Sequence, residues 1–272
     1  MHVTSRTVSG GSRALHASDA TDGERDPRAL KVGVIVPALN EEATIAAVIS
    51  RVPYPPEWIT VVDNGSTDQT AARACAAGAR AVEEPRRGYG RACLAGIAAN
   101  RDADVLVFID VDLSEDPADI PTLVDPIAHG QADFVLGCRT GADRLWHAHV
   151  GTALCVWLIN RLWRCAYRDL SPFRAIRRAS LEALDMRDET WGWTIEMQVR
   201  AVEVGLRSME PAVVSGARAG GRSKISGTLM GSIRAGAKML GTILYLYVTR
   251  RRGIRVTSRH RTRPSEVQER GD

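Results

Sequence analysis

From residue 31 onward, apolar and polar positions fall into alternating blocks. Lys31-Val-Gly-Val-Ile-Val36 is a β-branched run closed by Pro37, the composition of a buried strand. The period then changes: Ile45, Val48, Ile49 and Val52 recur at helical spacing within Glu41 to Val52, with Asn40 placed as N-cap. The same alternation continues, predicting strands at 59–62, 79–82 and 105–109 and helices over 68–77 and 90–100. A helix over Ile120–Ala128 and a strand at Phe134–Leu136 follow. Strands apolar on both faces, each followed by a helix, predict an α/β fold: a mostly parallel, Rossmann-like sheet covered by helices.

In such sheets ligands bind beyond the carboxyl ends of the strands. The loops there are Pro37-Ala-Leu-Asn-Glu41, Asp63-Asn-Gly-Ser-Thr-Asp68, Asp110-Val-Asp112 and Gly137-Cys-Arg139. Three carry carboxylates and the fourth a guanidinium. Taken alone, the Asp63–Asp68 stretch also reads as an ordinary turn, with Gly65 supplying positive φ. Asp110 and Asp112, two apart at a strand end, point the same way and repel. A divalent cation with hard oxygen preference, magnesium or manganese, would relieve that repulsion. Arg139 is an anion clamp or an ion-pair partner.

Composition narrows the classes. The 272 residues suffice for one large domain, and a formal charge of +4 suits an anionic ligand or a membrane surface. Aromatic residues make up only 5%, and no basic stripe is interleaved with them, which argues against a nucleic-acid partner. Five scattered cysteines without a Cys-x-x-Cys or Cys/His pattern indicate neither a zinc site nor a disulfide framework. No secretory signal is read in the polar residues 1–28, expected to be disordered, and a cytoplasmic location follows as the expectation. Leu229 to Val248 is interrupted by Arg234 and Lys238, so no spanning helix is expected.

The combination of motifs resembles the family 2 glycosyltransferases and their A-type nucleotide-diphosphosugar transferase fold. It is carried by Val36-Pro-Ala-Leu-Asn-Glu-Glu42, Val62-Asp-Asn-Gly-Ser-Thr-Asp68, Arg87-Gly-Tyr-Gly90 and Phe108-Ile-Asp-Val-Asp112. Asn64 stands where an Asp is common, and Val111 where an Ala is usual. Further along, Leu136-Gly-Cys-Arg139, Asp169-Leu-Ser-Pro-Phe-Arg174, Trp191-Gly-Trp-Thr-Ile-Glu-Met-Gln198 and Gly221-Arg-Ser-Lys-Ile-Ser226 resemble the dolichol- and polyprenyl-phosphate sugar synthase branch, with Ser171 in place of a Gly.

The resemblance implies an inverting transfer from a nucleotide-diphosphate sugar to an isoprenoid phosphate. It implies donor contacts at Pro37, Asn40, Glu41, Asp63, Gly65, Arg87, Gly90, Asp110, Val111 and Ser223, and a metal ion at Asp110 and Asp112. Asp112, Arg139, Arg222, Lys224 and Glu196 are the implied catalytic set, with Arg222 and Lys224 closing over the diphosphate. Glu196 is either a base for a hydroxyl acceptor or a buried brace for an arginine. A phosphate acceptor is already ionised and needs no base. A catalytic domain over residues 29–225 is followed by an amphipathic segment, 226–253, and a basic disordered tail, 254–272. In 228–249, Leu229, Ile233, Ala237, Leu240 and Leu244 line one helical face and Arg234, Lys238 and Thr242 another, ahead of Arg250-Arg-Arg252. That helix, and the apolar Val150 to Trp163 run, either lies on a bilayer or packs on the domain or a dimer partner. The donor sugar and the oligomeric state stay open. A phosphatase using the Asp-x-Asp pair would leave the first two loops unexplained. A dinucleotide oxidoreductase would need a Gly-x-Gly-x-x-Gly after the first strand, and a non-catalytic sugar-nucleotide scaffold would not need the acidic pair.

Overall fold

The computed structural model describes residues 30–140, 146–216 and 229–250. The chain runs β1 (Val32–Ala38), α1 (Ile45–Arg51), β2 (Ile59–Asp63), α2 (Thr70–Ala76), β3 (Arg80–Glu83), α3 (Tyr89–Ala99), β4 (Val105–Phe108), α4 (Ile120–Ala128), β5 (Phe134–Leu136) and β6 (Cys138–Thr140). It continues through α5 (Trp146–Trp163), β7 (Arg174–Arg177), α6 (Arg178–Leu184), α7 (Trp193–Glu203), β8 (Ser208–Met209), β9 (Ala212–Val214) and α8 (Leu229–Thr249). The main sheet has the order β3–β2–β1–β4–β7–β5–β8, and β6 pairs with β9 in a second, small sheet.

Alternate side chains of the central strands feed two cores, as the two-residue period of a strand requires. Val34 and Val36 of β1 pack with Ile45, Ile49, Ile120 and Ile127 from α1 and α4. Ile35 faces the other way, toward Cys93 of α3, Trp193 and Val199 of α7, and Ile243 of α8. All five cysteines are free thiols.

One expectation is corrected. The first helix starts at Ile45 rather than Glu41, with Thr44 and not Asn40 at its N-cap. Asn40 instead takes a positive φ of 51°, and its side chain serves a neighbouring loop. The sheet is mostly parallel, as expected, with β7 lying antiparallel between β4 and β5. This reverse strand leaves β5 pointing the same way as β4, so the carboxyl ends of β1, β2, β4 and β5 still share one edge. Among the described residues no helix is long and apolar enough to cross a membrane. The expectations for 1–28 and 254–272 lie outside the described residues.

Candidate active site

The loops after β1 and β2 are knitted together at that edge. Asn40 Oδ1 accepts from Thr67 N at 2.7 Å, and Asn40 N donates to Ser66 Oγ at 2.9 Å. Glu41 N donates to Thr70 Oγ1 at 2.8 Å. Asp63 Oδ1 accepts from Ser66 N at 2.8 Å across a turn in which Gly65 has a φ of +81°, open to glycine at little cost. Burial pushes the Asp68 carboxyl up, but hydrogen bonds from the Thr70 hydroxyl and from the Thr70, Glu42 and Asp68 amides together hold it below its ordinary value. Asn64 has a specific task. Its Nδ2 donates to the carbonyls of Glu84 and Arg86, both at 2.9 Å, and its Oδ1 accepts from Gly88 N at 2.8 Å. A carboxylate could not make the two donations. Pro37 is half-buried at the end of β1, and Arg87 is exposed in the 84–88 loop that Asn64 holds.

The acidic pair follows β4. Asp112 is buried at 5% exposure, Asp110 is half-buried, and Val111 between them is buried. Asp112 Oδ1 accepts from Ser114 N at 3.0 Å around Leu113, whose φ of +57° is strained for a non-glycine residue. Asp110 Oδ1 accepts from the Tyr89 hydroxyl at 3.2 Å. Burial first, and then the neighbouring Asp110, push the Tyr89 hydroxyl well above its ordinary value, so it keeps its proton and stays a donor. The donor set suits a hard divalent cation. No group of three or more Asp, Glu, His or Cys able to hold an ion occurs among the described residues, so an ion here would draw further ligands from substrate and water.

Sequence reasoning missed a loop that reaches this pair from behind. Thr190 O accepts from Gly90 N at 3.2 Å and Glu189 O from Arg91 N at 3.0 Å, so residues 189–190 cap the first turn of α3. Arg91 also pairs with Glu189. A methyl group on Gly90 would collide with the Asp188 carbonyl oxygen and sit 2.7 Å from the Glu189 carbonyl carbon. Trp191 stacks on Tyr89, with ring centroids 5.7 Å apart, and Tyr89 bonds Asp110. Gly90 is therefore buried under this loop, where it admits the backbone of 188–190.

Glu196, on α7, anchors the same loop. Its Oε2 accepts from Arg187 N at 2.9 Å and Asp188 N at 2.7 Å, while Oε1 accepts from Arg200 Nε at 2.7 Å. The carboxylate is 3% exposed and braces both an arginine and a loop. Arg139 is likewise engaged: its fork makes two bonds to Asp169, at 2.7 and 2.8 Å, with Glu115 4.0 Å away. Burial opposes the Arg139 charge, but Asp169 and Glu115 hold its pKa above the ordinary value. Burial pushes the Glu115 carboxyl up, against Ser114 and Arg139, while Asp112 and Asp169 add to the rise. Beneath the pair, burial lowers Arg174 to about 10, still charged at neutral pH. Its guanidinium donates to the carbonyls of Ser171 and Thr194. The sequence carried no signal for Tyr89 or Arg174 beyond their presence in motifs, and Glu115 lies outside those motifs. Arg222, Ser223 and Lys224 lie outside the described residues.

An α/β sheet with acidic loops converging on its carboxyl edge is the layout of a nucleotide-sugar transferase. The comparisons agree. The family model described as glycosyl transferase family 2 matches residues 33–150. An uncharacterized glycosyltransferase of Mycobacterium tuberculosis is 42% identical over 207 residues, which is 75% of this chain and 94% of that protein. The chain belongs to the family 2 glycosyltransferases and is a transferase enzyme. Dodecaprenyl-phosphate galacturonate synthase of Rhizobium johnstonii is 30% identical over 174 residues, covering 58% of this chain and 51% of that one. Glucosyl-3-phosphoglycerate synthase of M. tuberculosis, solved with Mn2+, UDP-glucose and phosphoglyceric acid, superposes with a TM-score of 0.67 at 26% identity, covering 81% of each chain.

Proposed function

We propose that the enzyme transfers a sugar from a nucleoside diphosphate to the phosphate of an isoprenoid lipid, with magnesium or manganese held at Asp110 and Asp112. The observation that carries the acceptor is the state of Glu196. Both its oxygens are committed to Arg187, Asp188 and Arg200, so the one base candidate marked in the sequence is a brace. A phosphate monoester, whose second pKa is about 6, attacks without giving up a proton, and such a site needs no base. The dodecaprenyl-phosphate relative supports the same acceptor class.

In this reading the 37–41 and 63–68 loops, tied to each other by Asn40 and braced within the second by Asp63, hold the nucleoside. Tyr89 orients Asp110, and Ser114 N orients Asp112. The cation supplies Lewis-acid neutralisation of the charge that collects on the departing diphosphate. Arg139, pre-set by Asp169, faces an anion without having to reorganise. Arg222 and Lys224 add positive charge from the segment before α8. The lipid acceptor places the enzyme on the cytoplasmic face of a membrane. A second reading, a soluble acceptor, is favoured by the likeness to glucosyl-3-phosphoglycerate synthase in complex with phosphoglyceric acid.

The test supplies the purified protein with Mn2+ or Mg2+, a panel of UDP- and GDP-sugars and a short polyprenyl phosphate, with products read by mass spectrometry. A lipid-phosphate sugar that disappears with EDTA and with Asp112→Ala is the expected result. Turnover of phosphoglycerate, or donor hydrolysis with no lipid product, would move the acceptor to the second class.

A further inference from the structure

Helices α5 and α8 pack on each other and both pack on α7. Cys155, Val156 and Ile159 of α5 enter the same core as Ile243 and Leu246 of α8, beside Val199 of α7. With those stripes turned inward, the opposite sides of the two helices form one outer layer. That layer is apolar. On α5, Val150, Leu154 and Trp157 recur at one helical face, and Trp157 is 60% exposed. On α8, Leu240, Leu244 and Val248 recur every four residues, with Leu244 62% and Val248 72% exposed. Burial selects only part of each helix, although both have more apolar residues than one inward stripe needs.

The charge at one end of this layer identifies what covers it. Trp163, at the end of α5, packs edge-on against Tyr247, at the end of α8, with centroids 5.8 Å apart. The Arg250 guanidinium lies 4.6 Å over the Tyr247 ring. Arg161 and Arg164 are exposed at the same end of α5, and the sequence continues past Arg250 with Arg251, Arg252 and Arg255. An apolar face bounded at one end by aromatic rings and a cationic cluster matches the layering of a bilayer surface: acyl chains, interface, anionic head groups. A second protein copy would need an acidic patch opposite those arginines. We infer that the α5–α8 layer docks the enzyme on an anionic bilayer, with Leu244, Val248 and Trp157 inserted and Arg250 at the head groups. This deepens the lipid-acceptor reading and rests on it for its purpose, while the docking itself is measurable without any acceptor.

The experiment is vesicle flotation of the full chain without polyprenyl phosphate, on phosphatidylcholine alone and on phosphatidylcholine with phosphatidylglycerol. Wild type should bind the anionic vesicles at least about tenfold more tightly, an advantage that shrinks as salt is raised. The double variant Leu244→Glu/Val248→Glu, altered only at exposed positions, should lose binding about tenfold or more, and Arg250→Glu should lose mainly the anionic preference. Metal-dependent nucleotide binding should stay unchanged in both, which reports intact folding. Failure of wild type to bind, or undiminished binding by Leu244→Glu/Val248→Glu, would overturn the inference. So would a wild-type dimer in light scattering that Leu244→Glu/Val248→Glu turns into monomer while vesicles bind neither. Vesicle binding without any lipid-linked product would instead strike the acceptor reading and leave the docking face standing.

Discussion

Replacing Glu196 separates brace from base. Glu196→Ala leaves the Arg187 and Asp188 amides and the Arg200 guanidinium without their shared acceptor, in a spot where the carboxylate was 3% exposed. Breaking a buried ion pair from one side costs ~3–5 kcal/mol. At roughly 2–4 °C per kcal/mol for a domain of this size, the melting temperature should fall by about 6–20 °C. Glu196→Gln keeps one acceptor oxygen but sets an amide N–H against either Arg200 Nε or the two backbone amides. It should therefore lose roughly half of that stability. Both variants loosen the 187–191 loop, so Trp191 and Tyr89 hold Asp110 less firmly. Turnover at low temperature should fall through weaker metal binding, and raised Mn2+ should restore part of it. The assays are differential scanning fluorimetry and a metal titration of initial rate. A Glu196→Gln protein with unchanged melting temperature and turnover down by ~10²–10⁴, unrescued by metal, would refute the brace and identify a base.

Three other outcomes follow from the same geometry. Gly90→Ala drives a methyl group into the Asp188 carbonyl and displaces two hydrogen bonds and one ring stack, a loss of ~2–4 kcal/mol measurable by urea unfolding. Asp112→Asn should abolish Mn2+-dependent binding of a nucleoside diphosphate in calorimetry while leaving the melting temperature within a few degrees, roughly the scatter of benign substitutions. Arg207 holds the Asp133 carboxyl below its ordinary value through bonds of 2.8 and 2.9 Å, ahead of an opposing effect of burial. The native carboxyl thus binds fewer protons than the unfolded one, so its contribution is present above the ordinary Asp value and is lost as pH falls through the folded value. Asp133→Asn should cost ~0.5–1 kcal/mol at pH ~7, since Arg207 is well exposed, and nothing at strongly acidic pH.

Much of the site was written locally. The β1, β2 and β4 runs, their apolar composition and the carboxylates just beyond them need only a two-residue or 3.6-residue period and a turn. Once the strands align, Asn40, Asp63 and Asp110–Asp112 converge without further information, because parallel strands share a carboxyl edge. The start of α1 is displaced because Asn40, with a φ of 51°, is tied to Ser66 and Thr67 of the next loop, contacts that no local spacing reveals.

What only the tertiary structure decided involves partners distant in the chain. Arg174 reads as a polar residue that should face water, yet a strand inserted between β4 and β5 buries it at 0% exposure and satisfies it with carbonyls. Arg139 could equally have faced solvent until Asp169, thirty positions on, closed its fork. Helical periodicity sets Leu240 and Leu244 on an apolar face of α8 and Lys238 and Thr242 on a polar one, and it leaves open what covers the apolar face. Packing against α7 chose Thr242, Ile243 and Leu246, and left Leu240, Leu244 and Val248 outside. Local order follows from residue spacing. Pairing across the fold depends on which surfaces the folded chain brings together, and no local period encodes that.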